Sequence, residues 1–298
     1  MSPPGGPLDP VAVTGWDESA ALEQLDRWSS EIPPRRLEEI NWEAGTEALV
    51  LGDSHGDWPT VRMLAERQLA LPRGRLVLLG DYVDRTPPGL PQGSLRNALY
   101  VLSLRASAPG RVSALRGNHE TQRQIPAGMH ALPDEARQLW GSDAVAERVQ
   151  DLLDRLPLAA RTASGAYFAH AGIPLDDPRP LAATFAQESE RLLLQVVWND
   201  VDRSPACGHR GIEQTPIGAA NLEEFLRRID CGVVVRGHDP DLAGTVLFGG
   251  HLVTVHGARV FREAGLTAAH VPLGERIAGL ASPQIERLDF PPLPARVA

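Results

Sequence analysis

The chain has 298 residues, a formal net charge of −9 and 43% hydrophobic residues. These values are ordinary for a globular protein of one or two domains and exclude a mainly disordered chain. An acidic balance argues against a protein that mainly neutralises a nucleic-acid backbone. No apolar run approaches the roughly 20 residues that span a bilayer, and no signal-peptide pattern opens the chain. We therefore expect a cytoplasmic protein that binds neither membranes nor nucleic acids.

The charge is unevenly distributed along the chain. Residues 1–46 carry nine acids and three arginines, a net charge of −6, whereas the remaining residues carry −3. We predict three segments: an acidic N-terminal extension over 1–46, one main folded domain over 47–280 and a proline-rich C-terminal tail over 281–298. Three roles stay open for the extension: a helix packed on the body, a lid over the site, or an arm that binds a partner.

Short β-branched or leucine-rich segments alternate along the chain with longer segments of helical periodicity, which predicts an α/β fold. The predicted strands are 47–51, 75–79, 111–115, 166–169, 232–235, 245–248 and 252–255. The predicted helices are 58–70, 94–106, 134–155, 181–197 and 221–230.

Polar side chains follow five of these strands, in chain order. The segments read Gly-Asp-Ser-His-Gly from Gly52, Gly-Asp-Tyr-Val-Asp-Arg from Gly80, Gly-Asn-His-Glu from Gly117, His-Ala-Gly from His170 and Arg-Gly-His from Arg236. Singly, each is typical of a turn or a structural histidine. Together they place oxygen and imidazole donors at strand ends, where open α/β sheets bind ligands. Such donors favour divalent metals such as manganese, iron or zinc.

A site for two metal ions explains this set of residues. Ions about 3.5–4 Å apart need a carboxylate between them and an open edge for water and substrate. Asp81 is the natural bridge. The remaining predicted ligands are Asp53 and His55 for one metal, and Asn118, His170 and His238 for the other. Such a pair of ions would lower the pKa of a shared water, so that hydroxide is available at neutral pH.

In this order, the five segments resemble the phosphoprotein phosphatase family, the serine/threonine phosphatases within the calcineurin-like metallophosphoesterases. The resemblance covers about residues 47–256 and extends to Trp198-Asn199-Asp200 and Arg210-Gly211. It implies a calcineurin-like α/β sandwich of two mixed β-sheets flanked by helices. It also implies the two metal sites above, with manganese expected first and iron or zinc as alternatives.

The resemblance implies roles for four further residues. His119 matches the residue that protonates the departing alkoxide, and Asp84 matches the residue that orients its ring, as general acid catalysis requires. Arg85 and Arg210 match the arginines that bind the phosphoryl oxygens. The implied reaction is hydrolysis of phosphoserine or phosphothreonine in a phosphoprotein or phosphopeptide by direct attack of metal-bound hydroxide. Phosphotyrosine stays open as a further substrate.

Departures from the family pattern lie at the substrate surface. Thr86 stands where the family usually has glycine, and residues 121–133 replace a familiar aromatic stretch. No tyrosine follows Tyr167, so the family's substrate-facing tyrosine has no counterpart. His256 falls near the corresponding loop. These differences leave the metal chemistry intact and describe a prokaryote-type member of the family.

Three alternative functions stay open beside the phosphatase. The segment beginning at His170 resembles that of bacterial dinucleoside polyphosphate hydrolases of the diadenosine tetraphosphatase kind. Phosphodiesterases and nucleases commonly have Gly-His-x-His as their last metal-binding motif. Here Asp239 and Pro240 follow His238, so the second histidine of that motif is missing. A non-catalytic scaffold should have lost the bridging Asp81 or the acid His119, and both are present. The sequence leaves the oligomeric state open.

Overall fold

The computed structural model describes residues 7–43, 45–175, 177–209, 215–281 and 284–294. Within these ranges the helices are α1 (Glu18–Glu31), α2 (Trp58–Ala70), α3 (Gly93–Ser107), α4 (Ala131–Trp140), α5 (Ala144–Leu153), α6 (Leu181–Thr184), α7 (Glu190–Val197) and α8 (Ala219–Ile229). The strands are β1 (Leu37–Ile40), β2 (Thr46–Leu51), β3 (Gly74–Leu78), β4 (Val112–Ala114), β5 (Ala159–Thr162), β6 (Ala166–Ala169), β7 (Val233–Arg236), β8 (Thr245–Leu247), β9 (Leu252–Thr254), β10 (Leu266–Leu273) and β11 (Ile285–Leu288).

The strands form two mixed sheets. One sheet has the order β11-β10-β2-β3-β4, and its β2, β3 and β4 run parallel. The other has the order β1-β5-β6-β7-β9-β8, with β6, β7 and β9 parallel. Pairing of Leu51 with Leu78, and of Val235 with Val253, sets the register. The parallel strands β2, β3 and β4 of one sheet, and β6 and β7 of the other, are those that lead into the five polar segments.

The core is divided by the two sheets into three buried layers. Val50 and Val77 of one sheet pack against Phe168 and Val235 of the other in the central layer. Because strand side chains alternate between faces, Leu49 and Leu76 of the first sheet point to its outer layer, under α2, α3 and α5. The outer layer of the second sheet holds Val234 and the apolar sides of α7 and α8. Two packed sheets with helices outside are the predicted sandwich.

Two predicted helices are each divided in the structure. The segment 134–155 forms α4 and α5, because Gly141 adopts a left-handed conformation (φ 70°) that ends α4. The segment 181–197 forms α6 and α7, and the Ser189 side chain accepts a hydrogen bond from the backbone of Leu192 at the start of α7. Both predictions of one continuous helix are therefore wrong, although the helical state is right for most of these residues.

The acidic N-terminal segment packs on the body over residues 7–43. Helix α1 buries Ala21, Leu25 and Trp28 in the same core layer as α3 and α5. Strand β1 pairs in parallel with β5, and its Glu38 forms a buried ion pair with Arg105 at 2.5 Å. The domain boundaries at residues 46 and 280 stay a prediction. Over the part of the chain that the structure describes, no helix combines the length and the apolar character needed to cross a membrane.

Candidate metal centre

The predicted ligands converge where the parallel strands of both sheets end. Asp53 and His55 follow β2, Asp81 follows β3 and Asn118 follows β4, all in one sheet. In the other sheet, His170 follows β6 and His238 follows β7. All six side chains are buried. The site is therefore built across the junction of the two sheets.

Asp81 lies between two groups of donor atoms. Its Oδ2 is 3.6 Å from His55 Nε2, and its Oδ1 is 3.4 Å from His170 Nε2. One group combines Asp81 with His55 and His119, the other combines it with His170 and His238, and the ligand atoms in each lie within 4.8 Å of one another. A carboxylate shared by two groups is the arrangement that a pair of metal ions requires.

The other two predicted ligands complete this cluster. Asn118 Oδ1 lies 2.9 Å from His170 Nε2 and 3.1 Å from His238 Nδ1. Asp53 Oδ1 accepts a hydrogen bond from the backbone of His238 at 2.8 Å. Buried carboxylate, amide and imidazole donors in this mixture fit borderline divalent cations.

Two histidine rings are oriented as metal ligands are. Nδ1 of His55 faces the carbonyl of Val83 at 2.8 Å, and Nδ1 of His170 faces the carbonyl of Leu79 at 3.1 Å. A carbonyl can only accept, so Nδ1 carries the proton and Nε2 offers its lone pair to the cluster. Burial, reinforced by the nearby charge of His119, lowers the pKa of His55 to about 3, and burial lowers that of His170 to about 4. Both are thus neutral, the form that binds metals.

His119 and Asp84 form a buried pair beside this cluster. His119 Nδ1 lies 2.7 Å from Asp84 Oδ2. Burial lowers the pKa of His119, but the charge of Asp81 and the hydrogen bond to Asp84 outweigh burial and raise it above its ordinary value. Burial raises the pKa of Asp84, but hydrogen bonds from His119 and from the backbone of Ala131 outweigh this and lower it. The pair therefore favours a protonated imidazole next to an ionised carboxylate.

A cleft of about 150 Å³ opens over the cluster. Arg85 lines it and is exposed, with its guanidinium 5.5 Å from the centre of the Phe261 ring. Trp198, Pro240, Asp241 and Phe261 also line the cleft. Arg210, the second predicted phosphate-binding arginine, lies outside the described residues.

Glu120 is a structural determinant of the site, and sequence reasoning assigned it no role. Its buried carboxylate accepts hydrogen bonds from the backbone N–H groups of Asp81, Tyr82 and Gly117 at 2.7–2.8 Å. It thereby joins the loop after β3 to the loop after β4. The only sequence signal was its place in the Gly-Asn-His-Glu segment. Phe261 had no signal, because it enters the cleft from a loop that the strand pattern does not mark.

A sandwich of two mixed sheets with metal-binding donors at their junction defines the class of metal-dependent phosphoesterases. The model of the calcineurin-like phosphoesterase family matches residues 47–242, and this chain belongs to that family. The serine/threonine-protein phosphatase 4 catalytic subunit of Eremothecium gossypii is 28% identical over 221 residues, which cover 72% of this chain and 69% of that relative.

Solved structures confirm the predicted fold class. A protein serine/threonine phosphatase from Saccharomyces cerevisiae with similarity to human phosphatase PP5 superposes with a TM-score of 0.69 at 23% identity, covering 95% of this chain and 92% of that one. The cold-active protein-tyrosine phosphatase of a psychrophilic Shewanella species superposes with a TM-score of 0.56 at 17% identity, covering 85% and 83%. At these identities the likeness concerns the fold.

Proposed function

We propose that this protein is a dinuclear-metal phosphomonoesterase that hydrolyses phosphoserine and phosphothreonine in proteins. The observation that carries the proposal is the position of Asp81 between two buried donor groups, next to the His119–Asp84 pair. Membership of the calcineurin-like phosphoesterase family supports the phosphoesterase chemistry. The name of the Eremothecium gossypii relative supports phosphoserine and phosphothreonine as substrates. The proposed partner is therefore a phosphoprotein or phosphopeptide, and the cytoplasm is the proposed location.

The described residues divide into two proposed ligand sets that share Asp81. Asp53 and His55 would hold one metal ion with it, and Asn118, His170 and His238 would hold the other. We propose manganese, with iron or zinc as alternatives of similar donor preference. When bound, the two ions supply the Lewis acidity that makes water a nucleophile at neutral pH and neutralises phosphoryl charge.

The remaining residues of the site act on the substrate. Arg85 stands at the mouth of the cleft, where its planar guanidinium can bind two phosphoryl oxygens at once. Arg210 is proposed as a second such arginine. The raised pKa of His119 favours a proton on its ring, which the ring can donate to the oxygen of the departing serine or threonine. Asp84 orients the ring through Nδ1, which leaves Nε2 to face the leaving group.

A substrate panel tests this proposal. Manganese-loaded protein is assayed with phosphoserine, phosphothreonine and phosphotyrosine peptides and with diadenosine tetraphosphate, and Asp81→Asn serves as the inactive control. We expect phosphate release from the phosphoserine and phosphothreonine peptides, lost in the control. Strong preference for the dinucleotide would replace this proposal with a polyphosphate hydrolase. Absence of manganese-stimulated hydrolysis, even of p-nitrophenyl phosphate, would indicate a non-catalytic scaffold.

A further inference from the structure

His256 lies behind the metal centre, in contact with one of its carboxylates. It is fully buried and follows β9 directly. Its Nε2 lies 3.5 Å from Asp53 Oδ2. The sequence placed His256 near a loop that lines the substrate, but the residues that line the cleft do not include it. Its position therefore points to a role at Asp53 rather than at the substrate.

The surroundings of His256 fix its ring in place. Its backbone N–H donates to the Thr267 hydroxyl of β10 at 2.9 Å, which ties this turn to the neighbouring sheet. The Phe261 ring packs against the imidazole edge to face, with the ring centres 5.4 Å apart. A buried ring held by backbone and by packing has little freedom to turn away from Asp53.

The hydrogen-bond partner of Nδ1 decides which nitrogen of His256 carries the proton. The backbone N–H of Ala258 points at Nδ1, 3.4 Å away. An N–H group can only donate, so Nδ1 is the acceptor and the proton of the neutral ring lies on Nε2. This is the opposite tautomer to that of His55 and His170, whose Nδ1 atoms face carbonyl groups. His256 therefore directs an N–H group, not a lone pair, at Asp53.

We infer that His256 is a positioning residue for Asp53. Its Nε2–H group donates a hydrogen bond to Asp53 Oδ2 and so holds the carboxylate in place. Asp53 Oδ1 already accepts from the backbone of His238, so a donor at Oδ2 would fix both oxygens. The terminal torsion of an aspartate is soft, so a small rotation brings the 3.5 Å contact to hydrogen-bond length. Partners of this kind typically change metal affinity by about 10- to 100-fold. The inference rests on the metal centre of the proposed function.

Manganese binding by the metal-free protein tests the inference without measuring catalysis. Free Mn²⁺ is counted by electron paramagnetic resonance during titration of the wild type and of His256→Leu, His256→Asn and His256→Gln. The glutamine amide nitrogen lies as many bonds from Cα as Nε2 does and can replace its N–H, whereas the asparagine amide is one bond too short. His251→Leu, an exposed histidine next to β9, is the matched control.

We expect His256→Leu and His256→Asn to weaken one of two manganese sites by about 10- to 100-fold. We expect His256→Gln to recover most of this affinity and His251→Leu to bind as the wild type does. Unchanged binding in the asparagine variant would overturn the positioning role. Equal loss in the glutamine and asparagine variants would overturn it too, in favour of direct ligation or packing. A wild type that binds no manganese overturns the metal centre itself, whereas two bound ions without phosphatase activity contradict only the proposed function.

The asparagine and glutamine variants keep the test valid if His256→Leu does not fold. Both place a polar amide in the same buried position, so they should fold equally well. Thermal unfolding of the metal-free proteins checks this. If the two variants are equally stable, a difference in their manganese affinity shows whether the amide N–H group is close enough to Asp53 to replace that of His256.

Discussion

His119 belongs to one of the two donor groups and also pairs with Asp84. By position alone it could therefore act as a metal ligand or as a proton donor. Its Nδ1 is engaged by Asp84 at 2.7 Å, and its raised pKa favours a proton on the ring. A protonated imidazole repels a metal ion. The hydrogen bond fits either role, since a histidine that binds a metal also donates Nδ1–H to a carboxylate or carbonyl, whereas the raised pKa favours a proton donor.

We predict that His119→Ala lowers kcat on a phosphopeptide by about a hundredfold or more, because proton transfer to the leaving oxygen is lost. The loss should be smaller with p-nitrophenyl phosphate, whose leaving group needs little protonation. Manganese content should stay at the wild-type value. His130→Ala, at an exposed histidine before α4, is the control. If His119→Ala instead empties the site, His119 is a ligand.

In the proposed reaction, Asp84 sets the pH range in which His119 can donate its proton. The hydrogen bond to the carboxylate stabilises the protonated ring and so raises its pKa. Asp84→Asn keeps an acceptor but removes the charge, so the pKa of His119 falls. Since the protonated form is the active one, the alkaline limb of the kcat profile should move to lower pH. A profile of kcat against pH for wild type and variant measures the shift, and an unmoved alkaline limb would assign that limb to another group.

At this scale the sequence could predict the residues that stand at strand ends. Asp53, Asp81 and Asn118 each follow a short apolar run, so the run itself places them at the edge of a sheet. Phe261 follows no predicted strand, and His256, although it follows the predicted strand 252–255, could not be linked to Asp53 from the sequence. Their roles depend on a loop that folds back over β2, and a contact between residues 200 positions apart leaves no local pattern.

At the scale of elements, the loops that carry the site are strained. His55, Asp81, Asp84, Arg85 and His238 all have positive φ values between 40° and 70°, in a region that residues other than glycine rarely occupy. Each such residue costs on the order of 1–3 kcal/mol unless its surroundings hold it. Glu120 helps to keep Asp81 in this conformation, because its carboxylate accepts a hydrogen bond from the backbone N–H of Asp81.

We predict that Glu120→Gln lowers the free energy of unfolding by about 1–3 kcal/mol. An amide offers one acceptor oxygen, and its NH₂ group opposes at least one of the three N–H groups that the carboxylate satisfies. Urea unfolding measures the change, with the exposed Glu147→Gln of α5 as the matched control. Manganese affinity should fall as well, since Asp81 loses its support. Equal unfolding midpoints for the two variants would contradict this role of Glu120.

The elements themselves differ in how well their sequences identify them. Helix α2 and strand β6 match their predicted bounds, because Pro59 marks the first turn of one and a short apolar run marks the other. Strand β10, at eight residues the longest in the described chain, was missed. Its His270 and Pro272 interrupt the apolar pattern that identifies a strand. It forms nonetheless, because β2 and β11 pair with it on both sides.

At the scale of the whole molecule, the acidic N-terminal segment is part of the packed body over residues 7–43. The spacing of Ala21, Leu25 and Trp28 gives α1 one apolar face, and this was the available sequence signal. Asp26 lies on the exposed side of α1, where it pairs with Arg148 of α5 at 2.5 Å. The charge of −6 in residues 1–46 is thus partly balanced by arginines of the body, which a count by segment could not reveal.

The proposed metal centre would also join the two halves of the sandwich, because its donors follow β2, β3 and β4 in one sheet and β6 and β7 in the other. Without metal, burial holds the pKa of Asp81 well above its usual range, and the charge of Asp53 adds to this. Metal ions that bind only to the folded protein offset the cost of burying a charged Asp81, and they therefore stabilise the fold. A free-metal concentration a hundredfold above Kd contributes about 2.7 kcal/mol for one site.

We therefore predict that EDTA lowers the Tm of the manganese-loaded protein by about 5–10 °C, and that added manganese restores it. Asp81→Asn removes the shared carboxylate, so its Tm should not respond to either treatment. Differential scanning calorimetry of both proteins, with and without chelator, makes the comparison. If neither chelator nor manganese changes the wild-type Tm, no metal ion joins the two sheets. An Asp81→Asn variant that responds as the wild type does would place the stabilising ion elsewhere in the molecule.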